Sequence, residues 1–239
     1  MVKRQSLWFT APFQVEIREE ALPPLLPDEM MVQTAVSAIS PGTEMLLYRG
    51  QMPTDLTVDE TIAALEGTVA YPLKYGYATV GQVVETGKNV DSEWNGRFVF
   101  AFQPHQSHFV TRPEFVLPLP VDMAPETAVF LPNMETAVSF VMDGQPVLGE
   151  RVVVFGQGVV GLLTTALLAQ FPLAALVTVD GYALRREWSK KMGATAVFDP
   201  AEPIPVTDAD LAYELSGNPA ALDQAIAATG FDGRVVIGS

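Results

Sequence analysis

The chain has 239 residues, of which 49% are hydrophobic and 18% charged, a composition typical of one large or two modest globular domains. A formal net charge of −14 disfavours binding to nucleic acid or to an anionic membrane surface. The absence of cysteine excludes disulfides, thiol nucleophiles and cysteine-ligated zinc. No window is apolar enough for a membrane span, and the N-terminal residues do not resemble a signal peptide, so a cytoplasmic protein is predicted.

Up to Pro120, short runs of alternating apolar and polar residues are separated by Pro and Gly. Such alternation predicts half-buried antiparallel strands joined by turns, and therefore an all-β domain over residues 1–120. A short helix is predicted from Val58 to Leu65, where Thr57 and Glu60 have the spacing of a capping box. This insertion is either an acidic surface excursion or a lid over a substrate cleft. The alternating runs begin near residues 13, 29, 78, 97, 107 and 115.

After Pro120 strands and helices alternate, which predicts a doubly wound parallel sheet over residues 121–239. Its first strand, RVVVFG, is apolar throughout, as a parallel strand buried on both faces must be. The helix that follows this strand ends before Pro172, and the next is predicted from Leu184 to Met192. Further strands are predicted over ALVTVD, ATAVFD, DLAYELSG and GRVVIGS, with a helix over PAALDQAIAAT.

A glycine-rich turn joins the first of these strands to its helix. Gly156, Gly158 and Gly161 have G-x-G-x-x-G spacing, and Asp180 ends the next strand 19 residues after Gly161. In such a unit the first glycine permits the tight turn, the second lets the backbone approach a pyrophosphate, and the third lets helix and strand pack closely. The amides of Val159 and Val160 would then bind the diphosphate at the positive end of the helix dipole. The alternative is a tight turn that binds no ligand.

Asp180 points to the identity of the cofactor. Its carboxylate would accept hydrogen bonds from the adenosine ribose hydroxyls and repel a 2′-phosphate, which favours NAD over NADP. Arg185 and Arg186 follow closely, and an arginine there can accommodate the phosphate, so NADP remains an alternative.

A β domain followed by a dinucleotide unit resembles the medium-chain dehydrogenase/reductase superfamily, in which a GroES-like catalytic domain precedes a Rossmann domain. Beyond the glycines, the resemblance is carried over essentially the whole chain by SAISPGTEMLLYRG, YGYATVGQVVETG, GRFVFAFQPHQSHFV, ETAVSF and AYELSGNPAALDQAI. Within the superfamily, ISPGTE, GYATVG and FAFQPHQSHF look most like the zinc-free branch that includes bacteriochlorophyllide hydroxyethyl dehydrogenase. The resemblance implies hydride transfer between NAD(H) and a hydroxyalkyl or carbonyl substrate. It also implies cofactor contacts from Thr136, Ser216, Gly217 and Ile237.

The zinc ligands of the superfamily are replaced in this sequence. Zinc-dependent members place a Cys in the first motif and a Gly-His-Glu run in the second, where this chain has Ser40 and Gly76-Tyr77-Ala78. The third ligand position holds Pro132. Because none of these residues is a strong zinc ligand, no catalytic zinc is predicted.

Three side chains are candidates for moving the substrate proton. The resemblance implies that Thr43 relays it, although Thr43 could equally be a turn hydroxyl. Tyr77 either donates its phenolic proton to a carbonyl oxygen or forms an aromatic wall of the pocket. His105 is either a proton shuttle or a structural histidine, and Glu44 either lines the same cleft or is a satisfied buried carboxylate. The predicted catalytic residues are Thr43, Tyr77 and His105.

The superfamily's sheet has six strands in the order 3-2-1-4-5-6, whereas this sequence reaches Ser239 at the end of the fifth. The sequence is therefore expected to be either a fragment or a naturally short chain, with its fifth strand at an unpaired edge. Dimers that pair through a sixth strand are not expected, although other homo-oligomers are compatible with the sequence. A small molecule is the expected partner. A non-catalytic dinucleotide-binding protein and an inactive truncated dehydrogenase are the alternatives to an active enzyme.

Overall fold

The alternating runs of the first half form antiparallel strands, as predicted. In the computed structural model, which describes residues 3–53 and 68–238, they lie in a compact unit that extends from Met1 to Leu131. The strands are β1 Lys3–Ala11, β2 Gln14–Ala21, β3 Met30–Ser37, β4 Thr79–Thr86, β5 Phe98–Ala101, β6 His108–Thr111 and β7 Leu117–Pro118. Five of them form a sheet in the order β6-β3-β4-β5-β7, and β1 and β2 form a separate hairpin.

In the described residues of this unit, 3–53 and 68–131, there are also two short α-helices and two single turns of 3-10 helix. Helix α1, Thr43–Tyr48, was not predicted, because its six residues are too few to show a helical period and no side chain caps its N-terminus. Strand β1 was also missed. The helix predicted from Val58 to Leu65 lies outside the described residues, and the domain boundary after Pro120 stays a prediction. The remaining helices are α2 Pro125–Ala128 and the 3-10 turns Ser92–Trp94 and Pro113–Phe115.

Glu20 on β2 joins the hairpin to a neighbouring segment. Its carboxylate accepts hydrogen bonds from Trp8 Nε1 at 2.7 Å, Arg4 Nε at 2.9 Å, Ser6 Oγ at 3.1 Å and Lys74 Nζ at 3.3 Å. Burial raises the pKa of Glu20, but the hydrogen bonds from Trp8 and Arg4 and the charge of Lys74 outweigh it, so the pKa lies below its usual value of 4.5.

A Glu20→Gln variant is expected to lose about 1–3 kcal/mol of unfolding free energy near pH 7, since hydrogen bonds to a charged group are lost. A lowered folded-state pKa contributes stability that is present above the unfolded-state value and lost as the pH falls through the folded-state value. The difference from wild type should therefore shrink below about pH 4.5. Urea denaturation across this range measures it, with Glu19→Gln as control because the Glu19–Lys3 pair is exposed. A difference that does not change with pH would contradict the prediction.

Parallel strands and helices alternate in the second unit, Pro132–Ser239, as predicted. The strands are β8 Arg151–Phe155, β9 Ala175–Val179, β10 Ala196–Phe198, β11 Ala209–Glu214 and β12 Thr229–Ile237. The helices are α3 Leu131–Gly144, α4 Val159–Leu168, α5 Ala183–Lys191 and α6 Pro219–Ala228. All strand pairings are parallel, and the order β10-β9-β8-β11-β12 confirms the predicted 3-2-1-4-5.

The order of this sheet determines where a ligand can bind. Strand β8 is buried on both faces, because residues 152–155 are each 1% exposed or less. The strand order of the sheet reverses between β8 and β11, and ligands of such sheets bind at the carboxyl ends of the strands beside that reversal. Within the described ranges no strand pairs with the outer side of β12, and no helix is long and apolar enough to cross a membrane.

Candidate active site

The turn between β8 and α4 has the geometry that its three glycines predict. Gly156 has φ +89°, a conformation that favours glycine. A Cβ on Gly161 would lie 2.0 Å from the carbonyl oxygen of Gly156, so only glycine lets α4 pack this closely against the turn. A Cβ on Gly158 would meet nothing within 4 Å. The first turn of α4, which begins at Val159, therefore adjoins open space beside Gly158.

Gln157, between the first two glycines, stabilises the turn from inside. It is fully buried, and its backbone N–H donates to Asp180 Oδ2 at 2.8 Å. Its side chain donates to the Gly156 carbonyl at 3.0 Å and accepts from Thr165 Oγ1 at 3.0 Å. Sequence reasoning missed this residue because the motif leaves its position unspecified. The only signal available was a polar residue inside an otherwise apolar strand-to-helix connection.

Asp180 lies directly after β9, at the same carboxyl edge of the sheet as the turn. It is 6% exposed, and besides Gln157 it accepts a hydrogen bond from the Tyr182 backbone N–H at 2.8 Å. The Arg185 guanidinium lies 3.5 Å from Oδ2 and 4.7 Å from the centre of the Tyr182 ring. Backbone donors thus hold the carboxylate in one orientation, with its charge beside the glycine turn.

A cavity of about 470 Å³ opens beside Asp180, within the size range of small-molecule sites. It is lined by four of the predicted cofactor-binding residues, Gly156, Asp180, Arg185 and Ser216. Sequence reasoning did not identify the rest of its lining, which comes from the ends of β8 and β9, from loops and from α6. Examples are Tyr182, Pro200, Asn218, Ala221 and Gln224.

Other predicted cofactor-binding residues do not line the cavity. Gly217 follows Ser216 and has φ +69°, which favours glycine. Ile237 is 57% exposed near the carboxyl end of β12, in register with Glu214 of β11. Thr136 lies on α3, where its hydroxyl donates to the Pro132 carbonyl at 2.9 Å. Their cofactor contacts stay predictions.

A chain of hydrogen-bonded polar side chains, Ser37, His105 and Glu44, lies in the first unit. His105 Nε2 is 2.8 Å from Glu44 Oε2, and His105 Nδ1 is 2.9 Å from Ser37 Oγ. The other oxygen of Glu44 accepts from the Ser40 backbone N–H at 2.8 Å. The side chains of His105 and Glu44 are 9% and 3% exposed, whereas Ser37 is half-buried. Glu44 is therefore a satisfied buried carboxylate, one of the two roles the sequence allowed.

The segment around Tyr77 packs against this chain. Gly76 has φ +117°, and a Cβ there would lie 2.8 Å from the His105 ring. Tyr77 is half-buried, with its ring edge-on to Tyr75 at 6.4 Å, a geometry suited to a packing role. Thr43 is the first residue of α1 and also half-buried. Lys74 points elsewhere, to Glu20, so it offers no cation to the Tyr77 phenol.

The described residues do not fit a catalytic zinc. Residues 3–53 and 68–238 contain no group of three or more His, Cys, Asp or Glu placed to hold a metal ion. His105 and Glu44 would be the natural nitrogen and oxygen ligands, but they bond each other, and a tetrahedral site needs at least three protein ligands. Among the residues at the superfamily's ligand positions, Ser40 contributes its backbone N–H to Glu44.

Comparison with known proteins gives matches over both units. Residues 159–239 match the family model described as zinc-binding dehydrogenase. L-threonine 3-dehydrogenase of Caldanaerobacter subterraneus is 26% identical over 93% of this chain and 72% of its own length. An alcohol dehydrogenase from Escherichia coli CFT073 complexed with NADH is 19% identical with a TM-score of 0.79, covering 98% of this chain and 76% of that one. A structure from Sinorhizobium meliloti described as a zinc-binding dehydrogenase bound to NADP has a TM-score of 0.80 and 19% identity, covering 99% and 77%.

These matches agree with the strand order, the glycine turn and the two-unit organisation. The relatives are dehydrogenases, and the structural neighbours share the fold. The match of residues 159–239 to the zinc-binding dehydrogenase model and the similarity to L-threonine 3-dehydrogenase over 93% of the chain support its assignment to the medium-chain dehydrogenase/reductase superfamily of alcohol dehydrogenase-like oxidoreductases.

Proposed function

We propose that this chain transfers a hydride between NAD(H) and a small hydroxyalkyl or carbonyl substrate without a catalytic zinc ion. The observation that carries the proposal is the open space at Gly158, two residues after Gly156, which lines the same cavity as Asp180. Glycine at position 158 serves no packing purpose in the turn itself, since a Cβ would meet nothing. It serves a ligand that approaches the backbone, as a diphosphate does.

Different residues would hold the diphosphate and the adenosine ribose of the cofactor. The first amides of α4, at Val159 and Val160, have no partner within the helix and lie at its positive end, so they attract the diphosphate. The Asp180 carboxylate would accept hydrogen bonds from the ribose hydroxyls. When bound, the nicotinamide supplies or accepts the hydride, and the protein orients the reactants.

Two arginines near Asp180 bear on the choice between NAD and NADP. The Arg185 guanidinium is paired with Asp180 and stacked over Tyr182. Arg186 pairs with Asp199 at 2.8 Å and donates to the Asp180 carbonyl at 2.6 Å. Both cations are therefore engaged by acceptors of the protein, and a 2′-phosphate would meet a fixed carboxylate. This arrangement supports NAD as the preferred cofactor.

We expect NADH to bind at least about ten-fold more tightly than NADPH, a difference of roughly 1.4 kcal/mol in binding free energy. The titration follows nicotinamide fluorescence. An Asp180→Ala variant should bring the dissociation constants of NADPH and NADH closer together, because it removes the repulsion of the 2′-phosphate. Asp223→Ala is the matched control, since Asp223 is an exposed acid of α6 outside the cavity lining. Failure to bind either cofactor would overturn the proposed function.

A non-catalytic dinucleotide-binding protein is the second candidate, favoured by Tyr77 and Ala78 at the places of metal ligands. Turnover distinguishes the two. The chain is assayed with L-threonine, sorbitol, 2,3-butanediol, benzyl alcohol and their carbonyl counterparts, following the absorbance of reduced nicotinamide. Cofactor binding with no turnover of any of these compounds would favour the binding-only protein.

A further inference from the structure

We propose that Ser37, His105 and Glu44 form the proton relay of this oxidoreductase, with Ser37 as the hydroxyl that meets the substrate oxygen. The proposal rests on the proposed function and identifies the side chains that handle the substrate proton. It replaces Thr43, the hydroxyl that the superfamily resemblance implied, with a residue that sequence reasoning did not consider.

The hydrogen bonds of the chain determine the direction of each donor. The Glu44 carboxylate only accepts, and its other oxygen already accepts from the Ser40 N–H. His105 Nε2 must therefore carry the proton that Glu44 Oε2 accepts, at 2.8 Å. In a neutral imidazole Nδ1 is then an acceptor, and the Ser37 hydroxyl donates to it at 2.9 Å. The Ser37 oxygen keeps lone pairs that can accept a proton from elsewhere.

Burial increases along the series of hydrogen-bonded side chains, from Ser37 through His105 to Glu44. Ser37 is half-buried, whereas His105 and Glu44 are both buried. Only the Ser37 end is therefore accessible to a substrate. The Glu44 carboxylate occupies the buried end, where its Oε2 lies 2.8 Å from His105 Nε2.

Ser37 also lies beside the segment that carries ligands in zinc-dependent relatives. It is the last residue of β3, in register with Thr79 of β4, and the next N–H, of Ala38, donates to the Ala78 carbonyl at 2.9 Å. In the described part of the chain no hydrogen bond links Thr43 to His105. The structure thus connects the imidazole to Ser37 rather than to Thr43.

The proton step balances within these groups. When an alcohol is oxidised, its hydride leaves carbon for the nicotinamide with two electrons, and the O–H bond breaks to provide the electron pair of the new C=O bond. The released proton passes to Ser37 Oγ while the proton of Ser37 moves to His105 Nδ1. The product is an imidazolium paired with the Glu44 carboxylate. Reduction of a carbonyl runs the same transfers in reverse, and solvent resets the chain through Ser37.

Nuclear magnetic resonance of the full chain tests the relay without turnover. The sequence contains only two histidines, His105 and His108, so a His108→Gln variant assigns both sets of 15N signals. We expect the neutral ring of His105 to carry its proton on Nε2, and Ser37→Ala to move the Nδ1 signal while Nε2 keeps its proton. A proton on Nδ1 would overturn the relay, because Nδ1 could then accept nothing from Ser37.

The second test measures kcat for a substrate that the wild-type chain turns over. Ser37→Ala should lower kcat by about 100-fold, within the usual contribution of acid–base groups, and leave the dissociation constant of NADH unchanged. Ser37→Thr should restore most of the rate, because it keeps the hydroxyl. Ser107→Ala is the matched control, since Ser107 lies 3.0 Å from His108 in a second serine–histidine pair.

The outcomes separate the relay from the proposed function. Unchanged kcat in Ser37→Ala would overturn the relay and leave the oxidoreductase intact. If the wild-type chain fails to bind NADH, the proposed function is overturned instead. A rate that falls in Ser37→Ala and is not recovered in Ser37→Thr would also contradict the relay, because the loss would then come from packing.

Discussion

A Gly158→Ala variant is expected to fold as the wild type does and to bind NADH at least about ten-fold more weakly, a loss of roughly 1.4 kcal/mol. The added methyl group meets no protein atom within 4 Å, so it does not disturb the turn. It would occupy the space through which a diphosphate approaches the first amides of α4. Thermal unfolding and fluorescence titration of the same preparation measure the two effects.

Gly161→Ala is the matched comparison in the same turn. Its methyl group would lie 2.0 Å from the Gly156 carbonyl oxygen, which forces α4 away from β8. Overpacking of this kind costs about 1–3 kcal/mol, so this variant should lose stability as well as NADH binding. If Gly158→Ala binds NADH as tightly as wild type does, the turn is not a diphosphate site.

Removal of the buried carboxylate in Glu44→Ala is expected to cost about 3–5 kcal/mol of unfolding free energy, as for other buried pairs that lose one partner. The His105 Nε2–H and the Ser40 N–H would both lose their acceptor inside the protein. Urea denaturation near pH 7 measures the loss.

Two controls show whether this cost comes from a broken buried pair. Glu93→Ala removes an exposed carboxylate 3.2 Å from Arg97, and exposed pairs contribute about 0–1 kcal/mol. A Glu44→Leu/His105→Leu double variant should recover part of the stability, because the His105 imidazole is no longer buried without its acceptor. If Glu44→Ala costs no more than Glu93→Ala, the Glu44–His105 pair does not stabilise the fold.

The parallel half of the protein could be predicted from the sequence because the patterns that indicate it are short and consecutive in the chain. An apolar strand, a glycine turn and an apolar helix are consecutive in sequence, and the period of each segment reflects how many of its faces are buried. The strand order 3-2-1-4-5 followed from the superfamily resemblance and is the order observed. The short elements were harder. Helix α1 has only six residues, too few for a period to appear.

The sequence by itself determined the antiparallel strands of the first half, the parallel sheet of the second and the position of the glycine turn. Each of these depends on residue types at short, fixed spacings, which backbone geometry translates directly into structure. Only the tertiary structure decided the partners of His105, because Ser37 and Glu44 lie 68 and 61 residues away from it along the chain. Pairing over such distances is decided by how strands and loops pack, so no local pattern reveals it.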